Sequence, residues 1–273
     1  MDIKALATDL DGTLIPLKNN PQQQEALRII ESRLAEHHLS LLFVTGRHFA
    51  SVQQAMVEFQ LPQPDEIICD VGTTILRRTA DDDGHSFRAD SEYSDHLSNL
   101  VGEFPATALI QQFADNAALR LQESEKQGDY KVSFYTDAGT LKSVAAYVQQ
   151  VLTDMAAPWS IISSVDPFNG DGLIDLLPAG VSKAYAITWW AQRRQFQPSQ
   201  VVFAGDSGND TAALTAGYLA IVVGNASPEV VAEVVAVHNA ASWNNRCFHS
   251  QQHATSGVLN GLEHHLHVHR TKG

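Results

Sequence analysis

The sequence predicts an α/β protein: a parallel β-sheet with helices on its faces, interrupted by an inserted α+β unit. Three observations predict it. Short apolar runs alternate with amphipathic helical segments from residue 3 to residue 69, as in a parallel sheet covered by helices. The composition shifts near residue 80, and a differently patterned stretch follows. The alternation then resumes at residue 172 and runs to a last strand-like segment at 219–223. The expected division is a discontinuous core over residues 1–80 and 164–273, with the insert over 81–163.

Taken in order, residues 3–10 read as a short buried strand ending in carboxylates. Residues 21–37 read as a helix, with Ala26, Leu27, Ile30 and Leu34 at helical spacing. A second apolar run, 40–44, is broken by Thr45-Gly46, and 50–59 reads as a helix. Residues 66–69 form a third short strand before a turn at Gly72. Asp81-Asp82-Asp83-Gly84 reads as a solvated turn or linker. In the insert, helices are expected at 93–104, 116–126 and 140–155, a half-buried strand at 131–135 and a further strand at 159–163. The core resumes with a strand at 172–177, a helix at 182–194 and a buried strand at 201–204. A tight loop at 205–208, a helix at 210–216 and a strand at 219–223 follow. Two helices, 227–241 and 257–267, complete the pattern.

Composition narrows the function. The 273 residues are 44% hydrophobic and 18% charged, enough apolar material for a sizeable core. The formal net charge of −13 argues against nucleic acid or an anionic membrane surface as the main partner. No apolar run is long enough to span a membrane, and no basic-then-apolar secretory leader is visible. Cys69 and Cys247 are the only cysteines and neither has zinc-ligand spacing, so a reducing, cytoplasmic setting is expected.

Two carboxylate clusters carry the chemistry. Asp9-Leu10-Asp11-Gly12-Thr13 sits where the first strand ends, and Gly205-Asp206-Ser207-Gly208-Asn209-Asp210 where a later one ends. Ligands of open parallel sheets bind beyond the carboxyl ends of strands. Each cluster alone also reads as a turn with a helix cap. Together they form an oxygen-rich site of the kind a hard cation such as Mg²⁺ takes. Thr45-Gly46-Arg47 offers a hydroxyl and a backbone N–H at the start of a helix, an anion site. Arg47 fits either a phosphate ligand or a surface arginine. Lys183, opening a later helix, fits a point charge on phosphate and on a nucleophile. His264, His265, His267 and His269 crowd the last helix, and a solvated, frayed tail is favoured over a metal site there. Trp189 and Trp190 are expected to pack in the core, and Cys69 to be a small buried hydrophobe.

Asp-x-Asp-Gly-Thr, then Thr-Gly-Arg, then Lys, then Gly-Asp-Ser-Gly-Asn-Asp resembles the haloacid dehalogenase (HAD) superfamily. The resemblance implies a Rossmann-like parallel-sheet core with an inserted α+β cap domain of the second type. It implies Asp9 as nucleophile and Asp11 as general acid and base. It places Mg²⁺ on Asp9, the Asp11 carbonyl and Asp206, with Asp210 and Asn209 orienting the metal waters or Lys183. Thr45, Gly46 and Lys183 bind the transferring phosphoryl group.

A finer resemblance is to the sucrose-phosphate phosphatase branch. It is carried by Phe43-Val44-Thr45-Gly46-Arg47, Ser51-Val52-Gln53, Asp70-Val71-Gly72-Thr73, Tyr130-Lys131-Val132-Ser133-Phe134, Asp175-Leu176-Leu177-Pro178 and His253-Ala254. It implies a sugar phosphate as substrate, sucrose 6-phosphate first, with Gln53 and Lys131 as sugar contacts. Gln53 fits an exposed helix face equally well. Mannosylfructose phosphate and mannosyl-3-phosphoglycerate are alternatives, as is a phosphomutase reaction. A non-catalytic regulatory or scaffold subunit that keeps the fold, for example as partner of a sucrose-phosphate synthase, is a further alternative. Two positions depart from the branch: His48 stands where serine is usual, and Ser182-Lys183-Ala184 where Asn-Lys-Gly is usual.

Overall fold

The computed structural model describes residues 2–18, 20–79, 86–165 and 169–270. Its elements are β1 (Ala5–Thr8), α1 (Pro21–Glu36), β2 (Ser40–Val44), α2 (Phe49–Phe59), β3 (Glu66–Cys69), β4 (Thr74–Arg78) and β5 (Phe87–Ala89). Next come α3 (Ser91–Val101), α4 (Ala106–Phe113), β6 (Arg120–Leu121), β7 (Val132–Thr136), α5 (Leu141–Asp154), β8 (Trp159–Val165) and β9 (Gly172–Pro178). The chain closes with α6 (Lys183–Arg193), β10 (Val201–Gly205), α7 (Thr211–Leu214), β11 (Leu219–Val222), α8 (Pro228–Ala240), β12 (Cys247–His249) and α9 (Ala254–Arg270). They fall into two compact units, Met1–Arg88 with Lys183–Gly273, and Ala89–Ser182.

The first unit holds an eight-stranded sheet in the order β12-β11-β10-β1-β2-β3-β4-β5. Pairing is parallel from β12 to β3 and antiparallel between β3 and β4. β1, β3, β10 and β11 are buried at every position and β2 at all but its first, which explains why they read as continuous apolar runs. α1 starts where Asn20 accepts from the Gln23 N–H and Pro21 takes the first turn. Its predicted face, Ala26, Leu27, Ile30 and Leu34, is buried. Leu27, Ile30 and Leu34 share a core with Leu6, Phe43, Ile67, Val202, Ile221, Val258 and Leu262.

The second unit is an antiparallel sheet, β6-β7-β9-β8, with α3, α4 and α5. Leu109, Phe113, Val132, Phe134, Val148, Leu152, Trp159, Ile174 and Leu176 form its separate core.

Several details differ from the sequence reading. The strand expected to reopen the core at 172–177 is β9, paired antiparallel with β7 and β8. The second unit therefore extends to Ser182 and starts at Ala89, in place of 81–163. Ile174 and Leu176 bury against helices in either sheet, so their pattern does not say which sheet they join. The expected helix at 116–126 is absent. Asn116 caps a turn by accepting from the Ala118 N–H, and Arg120 and Leu121 pair with Tyr135 and Phe134. The helix before it, α4, was not anticipated; it follows Pro105 and buries Ala106, Leu109 and Phe113. β7 is buried along its whole length rather than half-buried, because Gln122 and Gln127 fold over it and bond to its backbone. Residues 81–84, expected as a linker, lie outside the described residues.

The last helix also departs from a frayed tail. His265 is fully buried, with Nε2 3.2 Å from the Ala220 carbonyl, and His264 stacks on Phe248 at 4.3 Å. The side chain of His269 lies outside the described residues. Cys69 is buried and Cys247 partly so, and neither is in a disulfide. No helix among the described residues is long and apolar enough to cross a membrane.

Candidate active site

Three parallel strands deliver the site. Thr8 at the end of β1 lies opposite Ala204 of β10 on one side and Phe43 of β2 on the other. Strand order reverses at β1, so the loops leaving β1, β2 and β10 diverge around a crevice.

Asp9 follows β1, donates its N–H to the Ala204 carbonyl (2.9 Å) and is 4% exposed. A wide helical turn, Leu10–Leu14, comes next. Gly12 has φ +73°, and a side chain there would collide with the Asp206 carboxylate. The loop after β10 supplies Asp206, Asn209 and Asp210. Asp210 Oδ2 accepts the N–H groups of Asp206 and Ser207, each at 3.2 Å, and the Ser207 hydroxyl at 3.1 Å.

Lys183, the first residue of α6, is 1% exposed. Its Nζ donates to Asp9 Oδ1 and Asp210 Oδ1, both at 2.8 Å, and to Asn209 Oδ1 at 3.2 Å. Asp9, Asp206 and Asp210 each offer an oxygen within 4.8 Å of the others. Three carboxylates thus crowd one ammonium. Burial, with Asp210 adding repulsion, pushes the Asp9 carboxyl up to about 8 against the pull of Lys183. Burial and Asp210 likewise push Asp206 up to about 6. Burial disfavours the Lys183 ammonium, but Asp210 and Asp9 outweigh it and hold its pKa above the ordinary lysine range. A cluster of hard oxygens short of positive charge fits a divalent cation such as Mg²⁺. Asp9, Asp206 and Asp210 are the side chains whose oxygens could hold it.

Thr45, at the end of β2, is 1% exposed, and its hydroxyl oxygen accepts the Arg47 N–H at 3.2 Å. That leaves the hydroxyl hydrogen for another acceptor. Asp11 turns its carboxylate away from the acidic cluster. Arg47 holds it bidentately, Nε to Oδ2 at 2.7 Å and Nη2 to Oδ1 at 2.6 Å, and also reaches the Ser51 hydroxyl at 3.0 Å. Arg47 is therefore not a lone surface arginine. His48 caps α2 by accepting from the Ser51 N–H at Nδ1.

The structure thus gathers Asp9, Lys183, Asp206, Asn209 and Asp210 in one crevice, with Asp11, Thr45 and Gly46 on the loops at the same sheet edge. Gln53 lies exposed on α2. Lys131 belongs to the second unit, where it is 6% exposed beside an isolated bridge to Gly128. Sequence reasoning passed over Thr13, whose hydroxyl donates to Asp206 (3.1 Å), although it stands inside the first motif. It also missed Asn225, which donates to the Gly12 carbonyl (2.8 Å) and Asp206 (3.3 Å) while accepting the Ala254 N–H. Only the strand-end position of Gly224-Asn225 signals it.

The family described as sucrose-6F-phosphate phosphohydrolase matches residues 3–266. A HAD-like hydrolase from Nitrosococcus oceani is 39% identical over 232 residues, covering 84% of this chain and 61% of the relative. The chain thus spans about three-fifths of that relative's length. Mannosylfructose-phosphate phosphatase from Agrobacterium fabrum is 26% identical over 266 residues, covering 96% of both. The sucrose-phosphatase of Synechocystis sp. PCC6803, solved with sucrose and phosphate, superposes with TM-score 0.75 at 25% identity, covering 97% of this chain and 98% of that one.

Proposed function

The chain belongs to the sucrose-6F-phosphate phosphohydrolase family, and from that premise we propose that it is a Mg²⁺-dependent sugar-phosphate phosphatase acting on sucrose 6-phosphate. The observation that carries the reading is the buried Asp9–Lys183 pair at 2.8 Å, set where the strand order reverses and followed two residues later by a second carboxylate.

One Asp9 oxygen is held by Lys183, which leaves the other to attack phosphorus. The P–O bond to the sugar breaks as the Asp9–phosphorus bond forms. Asp11 passes a proton to the departing alkoxide and then takes one from the water that hydrolyses the aspartyl-phosphate. Because Arg47 holds both Asp11 oxygens, the carboxylate has to rotate out of that fork to reach the leaving group. Lys183, the Thr45 hydroxyl and the Gly46 N–H stabilise charge on the transferring phosphoryl oxygens. Asp210 and Asn209 keep Lys183 oriented. Asp9, Asp206 and the Asp11 carbonyl would hold Mg²⁺, which would supply further neutralisation of phosphoryl charge. Gln53 and Lys131 have the amide and ammonium donors that sugar hydroxyls accept from.

Asp9→Asn is expected to lower turnover by at least about 10³-fold, read as inorganic phosphate released from sucrose 6-phosphate. Unchanged turnover sinks the mechanism. Mannosylfructose phosphate is a second reading, favoured by the end-to-end match to the Agrobacterium enzyme. Comparing kcat/KM across sucrose 6-phosphate, mannosylfructose phosphate and simple hexose phosphates decides between them. Isomerised sugar phosphate without free phosphate points instead to a mutase.

A further inference from the structure

We propose that Val71 is a positioning residue that aims the Gly46 N–H into the catalytic crevice. The proposal rests on the reading of Gly46 as a phosphoryl donor and deepens it by naming what orients that donor.

The turn after β3 is strained. Asp70 and Val71 have φ +53° and +60°, a region that β-branched side chains avoid. Val71 is 6% exposed, so its surroundings enforce the conformation. This backbone makes specific bonds. The Val71 N–H donates to the Thr45 carbonyl at 3.2 Å and the Asp70 N–H to the Arg47 carbonyl at 2.9 Å.

The Thr45 carbonyl and the Gly46 N–H share one trans peptide plane and point in opposite directions. β2 lies between β1 and β3. Pinning the Thr45 carbonyl on the β3 side therefore turns the Gly46 N–H toward the β1 side, where Asp9 and Lys183 stand. That N–H has no partner among the described residues. The Val71 side chain closes the arrangement, since one of its methyls lies 3.8 Å from where a Cβ on Gly46 would be. Behind the turn packs α6, the helix that begins at Lys183. One strained residue thereby backs both phosphoryl-binding elements.

The test uses the full chain labelled with ¹⁵N-glycine, titrated with inorganic phosphate in the presence of Mg²⁺. Val71→Gly relieves the strain and removes the methyls; Val71→Ile keeps both. Phosphate should shift the Gly46 amide resonance in the wild type and in Val71→Ile, with similar affinity. In Val71→Gly that shift should be lost and the Kd for phosphate should rise at least about tenfold, the effect of one misaimed donor. If Val71→Gly does not fold, Val71→Asn, which tolerates positive φ and lacks the branch, carries the same measurement. Val71→Gly, or Val71→Asn in its place, binding phosphate and shifting Gly46 like the wild type overturns the proposal and leaves the donor reading standing. A wild type whose Gly46 amide ignores bound phosphate removes the donor reading, and the proposal with it.

Discussion

Lys183 is a single ammonium beside two buried carboxylates, Asp9 and Asp210, with Asp206 close by. Replacing it by methionine leaves Asp9 and Asp210 without a cation, and the metal-free protein should lose about 3–5 kcal/mol in urea unfolding. An unaltered midpoint contradicts that account. The same crowding sets a pH dependence. Asp9 and Asp206 are pushed up to about 8 and about 6 in the fold, both above the ordinary carboxylate range. The metal-free fold therefore holds protons that the unfolded chain has released. The stability these two groups contribute is complete below about pH 4 and is lost as pH rises through 6 and then 8. A divalent cation compensates the charges that emerge in that window. The rise in Tm produced by Mg²⁺, measured against chelator, should grow between about pH 5 and about pH 8; a flat or shrinking difference contradicts the charge-deficit picture. That Asp9, Asp206 and Asp210 meet in one crevice was legible because strand-end motifs carry them, and Lys183 because it opens the helix before β10. The Asp11–Arg47 fork and the strained Val71 were not, since a partner distant in sequence or a backbone angle defines each.

Among the elements, α6 is tied down at its far end by Glu66 of β3, itself 1% exposed. Glu66 accepts from the Trp190 indole and pairs with Arg194 at 2.9 Å and Arg77 at 3.5 Å. Both arginine side chains are nearly half exposed and rehydrate when freed. The loss in Glu66→Ala is then mainly the stranded Trp190 donor and the cavity, about 2–3 kcal/mol by chemical denaturation. Trp190 is thus more than core filler. Parallel strands such as β1 and β10 were readable because burial on both faces leaves mostly apolar residues. β9 was readable as a strand but not as a member of the smaller sheet. The segment 116–126 carries helix-forming residues, yet an Asn116 turn and the open edge of β7 capture it. α4 was hidden because Pro105 sits at its start, and proline reads equally as a break.

At the scale of the molecule, the net charge of −13 works against any anionic ligand. Removing the four acids Asp9, Asp11, Asp206 and Asp210 from the 31 leaves 27 against 18 basic residues, so the excess is mostly outside the site. On the proposed function, phosphate approaches where Lys183, a bound cation and the Thr45–Gly46 donors reverse the sign locally. Tight sugar-phosphate binding in chelator, measured by calorimetry, would contradict this. The central place of β1 has a kinetic consequence as well. β1 and β2 are near neighbours in the chain, but Asp9 meets Lys183 across 174 positions and Thr13 meets Asp206 across 193. Contacts this remote form late, because a long loop must close before they contribute. During refolding from denaturant, hydrolytic activity should return after the far-UV helical signal. A nascent chain stays inert until β10 has docked beside β1, however complete its first hundred residues are.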